Sequence, residues 1–179
     1  MPDKLKTPKF RMSYPNLFEK GNMSGKYEVK CLFPEGTDLT ELKKLARKTA
    51  VEAWGDAIHK KLKSPFHKID HDDDPEYIGF DYLINIRSGK RVPVFDANTD
   101  RIMDPEDIYG GCWGYAIVTC RSYGGGKTGH APGIIFDMKK VQKIQDDEPF
   151  GDSMDDTEEG FDAVEGGSTA TVPQEDDWI

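Results

Sequence analysis

The run Gly111-Cys112-Trp113-Gly114-Tyr115-Ala116-Ile117-Val118-Thr119-Cys120-Arg121-Ser122-Tyr123 is the most strand-like stretch of the chain. It is dense in β-branched and aromatic residues, which suit a pleated, half-buried surface. Alternation puts Trp113, Tyr115, Ile117, Thr119, Arg121 and Tyr123 on one face, and Cys112, Ala116, Val118 and Cys120 on the other. The second set is small and apolar, as the inside of a small barrel requires. The first faces outward and mixes aromatics with a cation. A bulge at Gly114 would exchange the faces and send Trp113 and Tyr115 into the core or under a helix.

Upstream, Tyr27, Val29, Cys31 and Phe33 alternate with Lys26, Glu28, Lys30 and Leu32 up to Pro34-Glu35-Gly36. This is a half-buried strand with Lys26 and Lys30 on its outer face. Phe80, Tyr82, Ile84 and Ile86 form a second run ending at Ser88-Gly89, and Val92 to Phe95 a short third, edge-like because of Pro93. Beyond the glycine-rich turn 124–129, a last strand runs through Gly133-Ile134-Ile135-Phe136, before Val141 to Ile144. From Asp38 to Leu62 the spacing changes to three and four, through Leu39, Leu42, Leu45, Ala46, Thr49, Ala50, Ala53, Trp54, Ala57 and Ile58. That predicts one helix, started by Thr37 or Asp38 with Glu41 completing a capping box, and closed by Ser64-Pro65. Five or so short strands and one helix give a mainly β class. The economical closure is the five-stranded OB-fold barrel.

At 179 residues the chain fits one domain and a tail. Its net charge of −9 is unevenly placed: all 24 Lys and Arg lie between Lys4 and Lys143, against 20 Asp and Glu up to residue 145, a net +4. From Asp146 onward there are 13 acidic residues and no basic one, a composition that buries too little apolar surface to fold. The expected division is a folded domain over 1–150 and a disordered acidic tail over 151–179. The acidic total therefore leaves a nucleic-acid partner open for the body. No apolar run approaches the roughly 20 residues of a membrane span, and the N-terminus shows no signal-like apolar region. A soluble, cytoplasmic chain without membrane contact is expected, its oligomeric state unspecified. The odd set Cys31, Cys112 and Cys120 points to reduced thiols.

Several motifs imitate chemistry. Gly126-Lys127-Thr128 resembles the end of a phosphate-binding loop, but Arg121 stands where its first glycine belongs and a strand follows. Asp96-x-Asn98-x-Asp100 imitates a calcium loop, but Arg101 replaces the required glycine and Pro105 interrupts. His67 and His71 beside Asp72-Asp73-Asp74 lie between Pro65 and Pro75, which favours a solvated acidic loop over a metal site. No pair of carboxylates is placed in a pocket. Neither an enzyme, a metal nor a cofactor is expected. What remains is a set of cations interleaved with aromatics: Lys26, Lys30, Tyr82, Arg87, Trp113, Tyr115, Arg121, Tyr123 and Lys127. Such a set can stack bases and hold the phosphates of single-stranded DNA.

Several segments carry a family resemblance: Ser13-Tyr14-Pro15-Asn16-Leu17-Phe18, Lys26-Tyr27-Glu28-Val29, the helix with Ala53-Trp54, and Ile108-Tyr109-Gly110-Gly111-Cys112-Trp113. The glycine-rich turn after Tyr123, Gly133-Ile134 to Lys140-Val141-Gln142-Lys143-Ile144, and Asp147-Glu148-Pro149-Phe150-Gly151 continue it. In order and spacing the chain resembles the bacteriophage single-stranded DNA-binding proteins of OB-fold type. The resemblance implies sequence-independent binding of single-stranded DNA in replication and recombination, without enzymatic activity. It also implies an acidic tail that recruits replication or recombination proteins and competes with DNA for the body. Here Glu175-Asp176-Asp177-Trp178-Ile179 carries that expectation, with Trp178 rather than the last residue as the aromatic. The alternative from another class is an acidic DNA mimic or protein-interaction module that binds no DNA. A third is a nuclease or recombination accessory with metal at Asp70 to Asp74.

Overall fold

The computed structural model describes residues 3–55, 62–125, 131–150, 160, 161, 163 and 164. Eight strands are present: β1 (Leu5–Lys6), β2 (Phe10–Asn16), β3 (Tyr27–Pro34), β4 (His67–Lys68), β5 (Phe80–Ser88), β6 (Val94–Phe95), β7 (Trp113–Tyr123) and β8 (Gly133–Gln145). Among the described residues one α-helix, α1 (Thr40–Trp54), follows β3. Strand β2 pairs antiparallel with β3, and β3 with β5. Strand β5 runs parallel to β8, β8 antiparallel to β7, and β7 returns to β2. Five strands thus form a closed ring, the OB-type barrel, and β1, β4 and β6 are short additions to it.

Alternation fills the inside. Val29, Cys31 and Phe33 of β3 meet Ile84 and Ile86 of β5, Ala116 and Val118 of β7, and Phe136 and Met138 of β8, all buried. The outward parity of β7 holds as the pattern requires, although Thr119 is buried. Helix α1 covers the barrel with Leu42, Ala46 and Ala50. Gly55 takes a positive φ of 77° that ends α1 after Trp54, and positions 56–61 of the span expected to Leu62 lie outside the described residues. Leu39, rather than Thr37 or Asp38, is the N-cap of the helix and carries no side-chain cap; Asp38, one residue earlier, accepts at Oδ1 from the Thr40 amide at 2.9 Å without a capping box from Glu41. The expected pieces 133–136 and 141–144 are one continuous strand, β8. Strands β1 and β2 carried no sequence expectation. The three cysteines are buried and free.

The segment before β5 folds back over the outer barrel face. There Leu32, Ile69, Tyr77 and Phe80 form a second cluster, with Leu83, Trp113 and Phe150 packed against it. The acidic turn within it is closed by its own backbone, Asp70 accepting from the amides of Asp72 and Asp74. The loop at Asp96 does the same: its Oδ1 accepts from the Asn98 and Asp100 amides at 2.8 and 2.9 Å.

The acidic stretch that begins at Asp146 does not leave the body at once. Arg11 donates from Nη2 to the Glu148 carbonyl at 2.6 Å, and Trp113 Nε1 donates to Asp147 Oδ2 at 2.8 Å. The Phe150 amide donates to Gly110 O at 2.9 Å, and the Arg11 guanidinium lies 4.3 Å from the Phe150 ring centre. Acidic composition alone predicts an unfolded segment here, but Arg11 and Trp113, with Tyr109, Lys143 and Gly110, strap down Asp146 to Phe150. The Trp113 hydrogen bond holds the Asp147 carboxyl below the ordinary aspartate range, as Lys143 and Tyr109 do for Asp146. Groups depressed on folding stabilise above their unfolded value of about 3.9, and that contribution is lost as pH falls through the lower folded value. Trp113 fluorescence should therefore change as the strap loosens below about pH 4, and the change should vanish in Trp113→Phe.

Candidate nucleic-acid interface

On the outer face of β5, where β8 begins and β7 ends, lies a groove of about 470 Å³. Its walls carry Lys26, Lys63, His67, Asn85, Arg87, Arg121 and Tyr123, with Ile134 and Ile135 beneath. The register explains the gathering. Glu28 pairs with Arg87, Arg87 with Asp137 and Arg121 with Ile135, so outward side chains of four strands converge.

Both arginines are held by carboxylates. Arg87 Nε donates to Glu28 Oε2 at 3.0 Å, and Arg121 Nε to Asp137 Oδ2 at 2.7 Å. The guanidinium side chains remain 39% and 49% exposed, against 22% and 21% for their carboxylates. An arginine has five donors, so one carboxylate oxygen leaves capacity for phosphate. Tyr123 presents its ring above Gly133, opposite it in β8, where a Cβ would stand 2.2 Å from the ring. The groove therefore offers fixed cations and an exposed aromatic face.

Of the residues expected at a site, Lys26, Arg87, Arg121 and Tyr123 meet here. Lys30 lies beside them on β3, in register with the groove residue Asn85. The other expected residues lie elsewhere. Tyr82 is directly opposite Phe33 and packs at the edge of the main core, with Lys43 of α1 5.3 Å from its ring centre. Trp113 belongs to the second cluster, tilted against Phe80 at 5.9 Å and bonded to Asp147. Tyr115 lines a separate apolar cleft of about 410 Å³, with Lys6 4.1 Å above its ring. Lys127 and Glu175, Asp176, Asp177, Trp178 and Ile179 lie outside the described residues. Sequence reasoning missed Lys63, His67 and Asn85. Asn85 had a signal, because it shares the outward parity of Arg87. Lys63 and His67 had none, since they sit in a segment without periodicity.

A closed five-stranded barrel with one helix packed on it defines a protein of the oligonucleotide-binding fold. The chain belongs to the family described as Enterobacter phage Enc34, ssDNA-binding protein, whose model matches residues 3–175. It is similar to the single-stranded DNA-binding protein of bacteriophage Enc34 solved in complex with ssDNA, at 27% identity and a TM-score of 0.66, over 83% of this chain and 89% of that one. It is also similar to protein p50 of Acyrthosiphon pisum secondary endosymbiont phage 1, 28% identical over 192 residues, 97% of this chain and 93% of p50. The fold extends to gp2.5, a single-stranded DNA-binding protein of bacteriophage T7, at a TM-score of 0.65 and 15% identity, over 96% of this chain and all of that one. Among the described residues no helix is long and apolar enough to cross a membrane.

Proposed function

We propose that this protein binds single-stranded DNA without sequence preference in the groove of Lys26, Arg87, Arg121 and Tyr123. The observation that carries the reading is the convergence on one outer groove of an OB-type barrel of Lys26 just ahead of β3, Arg87 of β5, and Arg121 and Tyr123 of β7. Its cations suit phosphates, and stacking on Tyr123 is tolerant of sequence because every base has a π-face. The protein acts by holding the strand rather than by altering it, in phage DNA replication and recombination within the host cytoplasm. Its folded unit is 1–150. The segment 151–179 is an acidic tail that competes with DNA for the basic groove as a polyanion. Its Glu175-Asp176-Asp177-Trp178-Ile179 end recruits replication or recombination proteins, the indole filling an apolar pocket and the acids meeting a basic rim.

Fluorescence anisotropy with labelled oligo-dT and a matched duplex, at two salt concentrations, tests this reading. The full chain should bind the single strand and not the duplex, more weakly at higher salt, and a chain ending at Gly151 should bind more tightly. Tyr123→Ala should weaken binding by roughly 5–150-fold for every sequence, the equivalent of one lost stacking contact. Absence of single-strand binding by both chains would overturn the proposal.

A further inference from the structure

Strand β2 breaks its own alternation at Tyr14. Phe10 and Met12 point into the core, so an unbroken strand would send Tyr14 there as well. Instead the β2–β3 register runs Ser13 to Lys30 and Asn16 to Glu28, leaving Tyr14 and Pro15 opposite the single residue Val29. This is a bulge, a device that re-aims a side chain. Tyr14 takes a φ of +46°, which side-chain-bearing residues adopt rarely and a bulky one least readily. The outcome is a large aromatic ring 67% exposed, with Lys30 Nζ 5.2 Å from its centre.

The place of this ring gives the strained backbone a use. Lys30 is in register with Asn85 on the groove wall, so Tyr123, Arg121, Arg87, Asn85, Lys30 and Tyr14 form a continuous outer track across four strands. Beyond Lys30, Tyr14 lines a further cleft of about 500 Å³ with Pro15, Tyr77, Tyr109 and Phe150. Aromatic platforms separated by cations are what successive bases and phosphates of an unpaired strand require. Strained residues persist only where surrounding structure holds them, and they cluster at ligand-binding sites.

We infer that the Tyr14 bulge is a second base-stacking platform, which receives a nucleobase of the strand held in the groove and sets one end of the binding site. The inference rests on the single-strand reading above, and the experiment separates the two. Oligo-dT of increasing length is titrated by anisotropy into the full-length protein and its Tyr14→Ala, Tyr14→Phe and Tyr14→Gly variants, and each is melted without DNA. If the parent protein binds no oligonucleotide, the functional reading falls and the Tyr14 inference falls with it.

With parent binding in hand, Tyr14→Ala should weaken binding to long oligomers by roughly 5–150-fold and leave oligomers too short to reach it unchanged. Tyr14→Phe should bind as the parent does. The salt slope should be unaltered in all three, since no phosphate contact is removed. Tyr14→Gly should lose affinity as alanine does, yet melt at or above the parent temperature, because glycine accepts the positive φ. Parent-like affinity of Tyr14→Ala and Tyr14→Gly on long oligomers would overturn the inference. So would a lower melting temperature for Tyr14→Gly, which would make the ring a support of the fold.

Discussion

Replacing Lys26, Arg87 and Arg121 together by alanine should weaken binding to oligo-dT by about a hundredfold or more at low salt and flatten the slope of log affinity against log salt by about 2. Each cation facing a phosphate contributes about 0.7 to that slope on a single strand. The affinity loss corresponds to about 1 kcal/mol per cation, below the roughly 1.5–3 kcal/mol of a well-formed hydrogen bond to a charged group, because these side chains are part-exposed and screened. The substitution also leaves Glu28 and Asp137 without their arginines in the groove wall, so the surface turns from attractive to repulsive. Titration against salt by anisotropy reads both quantities. Parent-like affinity with an unchanged slope would place the strand on another face.

The second large effect concerns folding. Gly114→Ala should lower stability by about 3 kcal/mol, a fall of roughly 6–12 °C in melting temperature. A Cβ at this position would stand 2.3 Å from the Gln142 carbonyl oxygen and 2.7 Å from Met12 Cε. The methionine can move, but the carbonyl belongs to the backbone of β8. Gly114 pairs with Phe10 of β2 on one side and Lys143 of β8 on the other, at a register shift in β7. It is the point where the barrel ring shuts, and the close approach there needs a residue without a side chain. Gly89→Ala is the control: a Cβ there meets nothing within 4 Å, so thermal denaturation followed by circular dichroism should change little.

Strands β3, β5 and β7 were legible because their inner residues repeat every second position without interruption in the parts that line the core. Strand β8 reads as two pieces because its pattern changes phase. Met138 and Val141 are both buried, and Lys139 is the extra residue where Ile117 pairs with Lys140 but Val118 with Met138. Strand β2 was hidden for a related reason: after Phe10 and Met12 the bulge at Tyr14 ends the alternation before a run can be recognised. The apolar spacing runs through Gly55 without a sign of the break that its positive φ makes in the helix after Trp54.

The site was half legible. Parity correctly turned Arg121 and Tyr123 outward, but it turned Trp113 and Tyr115 outward too. A shared face is not a shared site on a strand of eleven residues, which at about 3.4 Å per residue extends well beyond one groove. Which outward residues meet depends on neighbours distant in sequence, Asp147 for Trp113 and Lys6 for Tyr115. Those neighbours lie outside any local pattern.

The carboxylates behind the two arginines also bear on how quickly the protein lets go. Glu28 and Asp137 keep Arg87 and Arg121 in one rotamer before DNA arrives, so little side-chain freedom is lost on contact. They also take back part of the attraction, since each guanidinium released by a phosphate is immediately received by an acid already in place. The barrier to departure is lowered along with the barrier to arrival. On the proposed reading, a strand held in this groove exchanges readily.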